Sequence, residues 1–198
     1  MGRALDYPAT RSNRDPLLAV LQRVLPEQGL LLEIASGSGQ HAVFMAPQLP
    51  GITWQPSDPQ ADAVESIAAW RAKHPSANLL PPVSLDVTQP WPVESAAAVL
   101  CVNMIHISPW AATLGLFQGA GQVLEPDGVL VTYGPYQVGG VHTAPSNAAF
   151  DGSLRARNPA WGVRDIRDLQ DAAAPHGLIL GEQIPMPANN MTLVWTRG

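Results

Sequence analysis

Leu30 to Ala35 reads LLLEIA, a nearly unbroken apolar run of strand length that ends directly in Ser36-Gly37-Ser38-Gly39. A strand with apolar side chains on both faces is stable only when both are covered, as in a parallel sheet flanked by helices. Small residues at its exit let the backbone turn tightly into a helix whose N–H groups face a ligand. The remaining chain must supply helices for two faces, and a hydrophobic fraction of 46% over 198 residues is enough for one such α/β domain.

The flanking segments alternate accordingly. Helical spacing predicts a first helix capped by Asp15-Pro16, in which Leu17, Leu18, Val20, Leu21, Val24 and Leu25 repeat up to Pro26. After the LLLEIA strand the pattern predicts a helix over 40–49, a strand over 52–55, a helix from Asp58-Pro59 to Lys73 and a strand over 79–85. A strand over 96–103, a helix over 109–124 and a strand over 128–133 follow. Such alternation implies parallel pairing through right-handed crossovers. Two last apolar runs, 176–180 and 191–195, are joined by the short polar stretch 185–190, which predicts a terminal antiparallel hairpin. No repeat or composition shift divides the chain, so residues 1–198 read as a single domain. Residues 1–14 form an N-terminal arm, and 134–165 form an insertion whose length is uncommon in a loop without a function.

Composition narrows the function classes. Sixteen acidic residues against eleven basic ones, a formal charge of −5, disfavour nucleic acid as a partner. Four arginines (Arg155, Arg157, Arg164, Arg167) cluster near the C-terminal third, as a solvated face or as an anionic-substrate patch. The single cysteine, Cys101, excludes an intrachain disulfide and suits a reducing cytoplasm. The histidines have no paired metal spacing, so no metal is expected, and no apolar stretch of about 18 residues predicts a membrane span.

Gly37 and Gly39 alone are a weak signal, shared with dinucleotide-binding proteins and plain tight turns. The signal gains from Asp58, which closes the second strand nineteen residues after Gly39, where a carboxylate can accept both hydroxyls of a ribose. Asp86, after the third strand, reads either as a turn carboxylate or as part of the same site. No phosphate-binding G-x-x-x-x-G-K-[ST] occurs, and Gly37 occupies the centre of what would be a nucleophile elbow. An NAD(P)-dependent oxidoreductase is the nearest competitor; the terminal hairpin and the long segment after the fifth strand argue against it.

The order E-x-A-x-G-x-G, an acidic end to strand two, L-D-V-T, V-x-N-M and L-x-P-x-G-x-L resembles the class I S-adenosylmethionine-dependent methyltransferases. More narrowly, LEIASGSGQHAVFMAPQLPGITWQPSD, NMIHISPW, LVTYGPY, HTAPSNAAFDGSLRARNPAWGVRD and MPANNMTLVW resemble the family of unknown function called DUF938, similar to methyltransferase-like protein 26. The resemblance implies a Rossmann-like, seven-stranded, mostly parallel sheet in the order 3-2-1-4-5-7-6, with strand seven antiparallel and helices on both faces. It also implies S-adenosyl-L-methionine as cofactor, with the methionine part against Ala35, Ser36, Gly37 and Gly39 on a loop shaped by Glu33. Asp58 takes the ribose, Asp86 and Val87 the adenine edge, and Asn103 and Met104 the floor below the sulfonium. Ala35 replaces the first glycine of the broad pattern and is expected to resist positive φ.

For the acceptor, His106 follows strand four and is the candidate general base, since an unperturbed imidazole with a pKa of roughly 6.5 works near neutrality. His142, Asn147, Trp161, Asn189 and Asn190, in the insertion or the closing turn, are candidates for an acceptor pocket. In the arm, Arg14 with its polar neighbours is expected to fold over the cofactor as a lid. The N-P-P-[YFW] signature of several base-modifying methyltransferases is absent, which with the acidic charge favours a small-molecule acceptor. A non-catalytic cofactor-binding or partner-binding module is the alternative from another class.

Overall fold

A computed structural model describes residues 4–198. Seven strands form one sheet: β1 (Gly29–Ile34), β2 (Ile52–Asp58), β3 (Val83–Ser84), β4 (Ala96–Val102), β5 (Leu124–Gly134), β9 (Leu178–Met186) and β10 (Asn190–Arg197). Their order is β3-β2-β1-β4-β5-β10-β9, and β10 runs antiparallel to both β5 and β9. This is the expected topology, with β9 and β10 as strands six and seven.

Alternation along the central strands builds two cores. Leu32, Val99 and Cys101 join Leu116 and Phe117 of α4 (Trp110–Val123) and Leu169 of α6 (Ile166–Ala173) on one face. Leu31, Ala98 and Leu100 meet Leu17 and Leu21 of α1 (Pro8–Val24) and Met45 of α2 (Gln40–Met45) on the other. The sheet is thus covered by helices on both faces, and α3 (Ala61–Lys73) packs beside α2 at the β2 end. Among the described residues no helix is long and apolar enough to cross a membrane.

Several boundaries differ from the sequence reading. The first helix begins at Pro8 and carries Pro16 in its interior. Proline suits the first turn, where its missing N–H has no partner anyway, whereas Pro16 loses a bond worth about 3 kcal/mol with the associated clash. Its buried face, Thr10, Asn13, Leu17, Val20 and Leu21, keeps helical spacing throughout, but two polar members hide the first half of the stripe. The third strand shrinks to Val83–Ser84 and a bridge at Leu79, because Pro81 and Pro82 bring no N–H to the ladder. The second helix stops at Met45 and tightens into a 3-10 turn over Ala46–Gln48.

The segment 134–165 is largely ordered rather than a loop. It forms β6 (Tyr136–Val138), β7 (Val141–His142), α5 (Pro145–Arg157) and β8 (Arg164–Asp165), the strands pairing in the order β7-β6-β8. Helix α6, also unforeseen, starts at Asp165, whose Oδ1 accepts from Arg167 N–H at 2.8 Å as an N-cap.

Candidate active site

Strand order reverses between β1 and β4, and the carboxyl ends of β1, β2 and β4 deliver Ala35, Asp58 and Asn103 to one cleft of about 720 Å³. The turn after β1 is built by φ angles of +53° at Ala35, +56° at Gly37 and +86° at Gly39. Ala35 thus adopts the positive φ that an alanine is expected to resist. Its methyl group is held in a left-handed conformation that costs an L-residue about 1 kcal/mol. Hydrogen bonds to β2 hold it there: Ser36 N–H donates to Ser57 O at 2.8 Å, and Ser57 N–H to Ser36 Oγ at 3.1 Å.

Asp58 lies under this turn. Its Oδ2 accepts from Gly37 N–H at 2.9 Å and its Oδ1 from Gln60 N–H at 3.0 Å. Burial raises its pKa, against the lowering effect of these two bonds. Each oxygen accepts one of these bonds and has capacity for another, and Asp58 lines the cleft. Behind the turn, Glu33 is fully buried and accepts from Trp54 Nε1–H at 3.0 Å; burial pushes its pKa up to about 7. Glu33 supports the loop without lining the cleft.

Ala35, Ser36, Gly37, Asp58, Asp86, Val87, Asn103 and Met104 all line this cleft, as does Trp161 from the insertion. Asp86 is exposed, and its Oδ1 is bonded to Thr88 N–H and Thr88 Oγ1 at 2.9 and 2.8 Å. Gly39 does not line it. A Cβ there would sit 2.8 Å from the Ile67 Cα, so this glycine allows α2 to pack against α3. Arg14 is also absent from the lining, because its guanidinium stacks over the Phe44 ring, 4.3 Å from the centroid. The arm instead contributes Tyr7, Ala9 and Thr10. Residues 1–3 lie outside the described residues. The following ones are pinned by Leu5 N–H to Ser66 Oγ (2.8 Å), Trp70 Nε1–H to Leu5 O (2.7 Å) and Tyr7 N–H to Gln40 Oε1 (2.8 Å).

A second cavity of about 630 Å³ shares Ala9, Asn103 and Ile107 with the first. His106, Asn147, Asn189 and Asn190 line it. His142 does not, bonding instead to Gln137 at 3.0 Å with Asp151 3.6 Å away. His106 is buried and stands edge-on to Phe150, with ring centroids 5.6 Å apart. Gly134 makes its place: a Cβ there would come within 3.0 Å of His106 Nδ1. Burial, helped by the Arg164 charge, lowers its pKa to about 4, so it is neutral at pH 7 and a weaker base than its sequence position suggests.

The amide nitrogens of the three asparagines each donate within the wall. Asn147 Nδ2–H donates to Thr143 Oγ1 at 3.0 Å and Asn189 O at 2.9 Å, Asn189 to Ser146 Oγ at 3.2 Å, and Asn190 to Pro187 O at 3.2 Å. The Asn147 and Asn189 bonds stitch α5 to the turn before β10, and the Asn190 bond closes that turn, where Ala188 and Asn189 each hold φ +57°. Sequence reasoning missed Tyr133 and Phe150 in this cavity and His41 in the first, and it named Arg157 only within the arginine cluster. His41 bonds Asn13 Oδ1 through Nε2 at 2.8 Å, and burial lowers its pKa to about 4. The signal available for His41 was its place on the helix expected over 40–49, whereas Phe150 sits on the unforeseen α5 and Tyr133 near the end of β5.

Solved structures with this fold include an O-methyltransferase family protein from Burkholderia thailandensis (TM-score 0.78, 14% identity, 93% of this chain and 56% of that one). The SAH-bound form of CalO1, a methyltransferase in calicheamicin biosynthesis, gives a TM-score of 0.74 at 16% identity over 93% of this chain and 54% of that one. A chain of similar size comes from a Haloferax volcanii complex containing the Trm112 methyltransferase activator (TM-score 0.75, 13% identity, 95% and 91% covered). The chain thus spans little more than half the length of the first two, and at these identities the likeness establishes the Rossmann-like methyltransferase fold. Family membership rests on the sequence itself: residues 5–197 match DUF938, described as a protein of unknown function, and the chain belongs to that family.

Proposed function

We propose that this protein is an S-adenosylmethionine-dependent methyltransferase whose acceptor is a small molecule held in the second cavity. The observation that carries the reading is that the two cavities meet at Asn103, where β4 ends and its φ of +60° turns the chain between them. A donor in the first cavity and an acceptor in the second would face each other there, which is the alignment an in-line displacement needs.

The residues of the first cleft fit the cofactor. Asp58 keeps lone pairs for two ribose hydroxyls, and the Ala35 to Gly37 turn leaves a backbone cradle in which a Cβ on Gly37 would come 3.1 Å from the Tyr7 ring. Val87 and Leu85 offer buried apolar surface at the adenine end. When bound, S-adenosylmethionine supplies a methyl group whose bond to the sulfonium sulfur breaks, the electron pair staying on sulfur, as the acceptor atom bonds to carbon. Asn103 and Met104 border that point, and Tyr7, Ala9 and Thr10 act as the lid that excludes water. His106 holds and orients the acceptor as a neutral hydrogen-bonding group. Its depressed basicity favours an acceptor atom that is already nucleophilic near neutrality.

Native mass spectrometry of the purified protein, followed by calorimetry with S-adenosylhomocysteine and NAD(H), tests the cofactor. Bound S-adenosyl compound and no NAD(H) binding are expected; the reverse would make the chain an oxidoreductase. Release of S-adenosylhomocysteine with fractionated cell extract is the turnover assay, and its absence from every fraction would favour a non-catalytic module.

A further inference from the structure

We infer that the second cavity takes a small planar aromatic carboxylic acid, its carboxylate held at the mouth by Arg157 and its ring laid against Phe150. Among the described residues, Arg157 is the one charged residue of this cavity's lining, whereas the first cleft is lined by Asp58, Asp62 and Asp86. In a chain of net charge −5, a carboxylate-free cavity with a lone guanidinium selects for an anion and against a cation. The four clustered arginines also divide by structure. Arg155 is paired with Asp151 at 2.9 Å, Arg164 donates to Ser108 O and Ala160 O at 3.0 and 2.7 Å, and Arg167 is exposed outside both cavities. Arg157 alone borders a cavity, and it makes no ion pair among the described residues. It is exposed at the last turn of α5, so it meets a ligand at the rim, not at the Asn103 junction.

The apolar part of the ligand follows from a second observation. Phe150 and Ile107 are large apolar side chains left 36% and 44% exposed, and both line this cavity. The Phe150 ring is fixed edge-on to His106, with an interplanar angle of 65°, and offers a flat surface for stacking. Both amide N–H groups of Asn147 are consumed within the wall, and Asn189 and Asn190 also donate into it; among the described residues Arg157 is the only charged donor of this lining. One guanidinium matches one carboxylate in a two-point contact, while a phosphate dianion would keep uncompensated charge. A cavity of about 630 Å³ suits a one- or two-ring acid.

The inference rests on the methyltransfer reading only in calling this ligand the acceptor; binding is testable without turnover. Saturation-transfer NMR and calorimetry are run on the full chain, with and without S-adenosylhomocysteine. The probes are benzoate, 4-hydroxybenzoate, cinnamate and indole-3-carboxylate, each beside its neutral amide. At least one acid is expected to bind roughly tenfold or more tightly than its amide, the ratio expected for one charge-assisted contact. Arg157→Gln is expected to erase that ratio with S-adenosylhomocysteine affinity unchanged, and Phe150→Ala to weaken acid and amide together. Binding of no acid in the panel, equal binding of acid and amide, or a ratio that survives Arg157→Gln would overturn the inference while leaving the cofactor reading intact. Failure of S-adenosylhomocysteine to bind, with the acid preference present, would overturn the methyltransferase reading and keep the acid site.

Discussion

Gly39→Ala tests how the turn after β1 is built, because the structure gives that position two separable penalties. Its φ of +86° is strained for any L-residue, and a Cβ would lie 2.8 Å from the Ile67 Cα, with Ile67 Cγ1 and Cβ at 3.0 and 3.2 Å. The nearest atom is helix backbone, so α3 has to move. Gly177 supplies the control, since its φ of +71° carries similar strain but no atom lies within 4 Å of its would-be Cβ. Gly177→Ala should therefore cost about 1 kcal/mol for backbone strain alone. Gly39→Ala should cost that plus about 1–3 kcal/mol of overpacking, or about 2–4 kcal/mol in all. For a domain of this size each kcal/mol lowers Tm by about 2–4 °C, so the two variants should separate by several degrees. Urea unfolding at pH 7 reads the difference through the midpoint at constant m-value. If Gly39→Ala costs no more than Gly177→Ala, the close approach of α2 and α3 is not what requires glycine there. The residue would then return to the ligand-contacting role that its sequence position suggests.

Other perturbations act on the site itself. Asp58→Asn should weaken S-adenosylhomocysteine binding by about tenfold or more, the ratio set by losing a charged acceptor; an unchanged Kd by calorimetry would place the ribose elsewhere. Deleting residues 1–7, ahead of α1, should leave a folded domain with weaker cofactor retention, because Tyr7 lines the cleft and Leu5 anchors to Trp70 and Ser66; wild-type affinity would make the arm passive. Acid should destabilise the protein in a signed way. His41 and His106 titrate at about 4 when folded against 6.5 as free groups, so their stabilisation is complete above pH 6.5 and is lost as pH falls towards 4. Glu33, raised from 4.5 to about 7, works oppositely and gains stability over the same fall, as does Asp58 lower down. Between about pH 4.5 and 6.5, two losses against one gain leave about 1.4 kcal/mol lost per pH unit, and Glu33→Gln should roughly double that slope in urea titrations; an unchanged slope would refute the sign assigned to Glu33.

What the sequence revealed divides along physical lines. Strand order and the positions of Ala35, Asp58 and Asn103 were legible because continuous apolar runs and small-residue turns report burial and backbone geometry directly. Helix starts were less so: Thr10 and Asn13 are buried on the α1 stripe, yet their polarity removes them from any apolar count, which moved the predicted start to Asp15. The second cavity was only partly legible, because its walls come from α5, from the end of β5 and from the turn before β10, segments brought together by tertiary contact. Arg157 illustrates the limit, since its chemistry is set by the partner it lacks, while Arg155 two positions earlier has Asp151. Nor does sequence disclose strain. Among the described residues, the four non-glycine ones with positive φ, Ala35, Asn103, Ala188 and Asn189, all line one or both cavities. Hydrogen bonds from Ser36 to Ser57 hold the first and the asparagine stitches hold the last two, so the strained positions shape the cleft, its junction and the far wall.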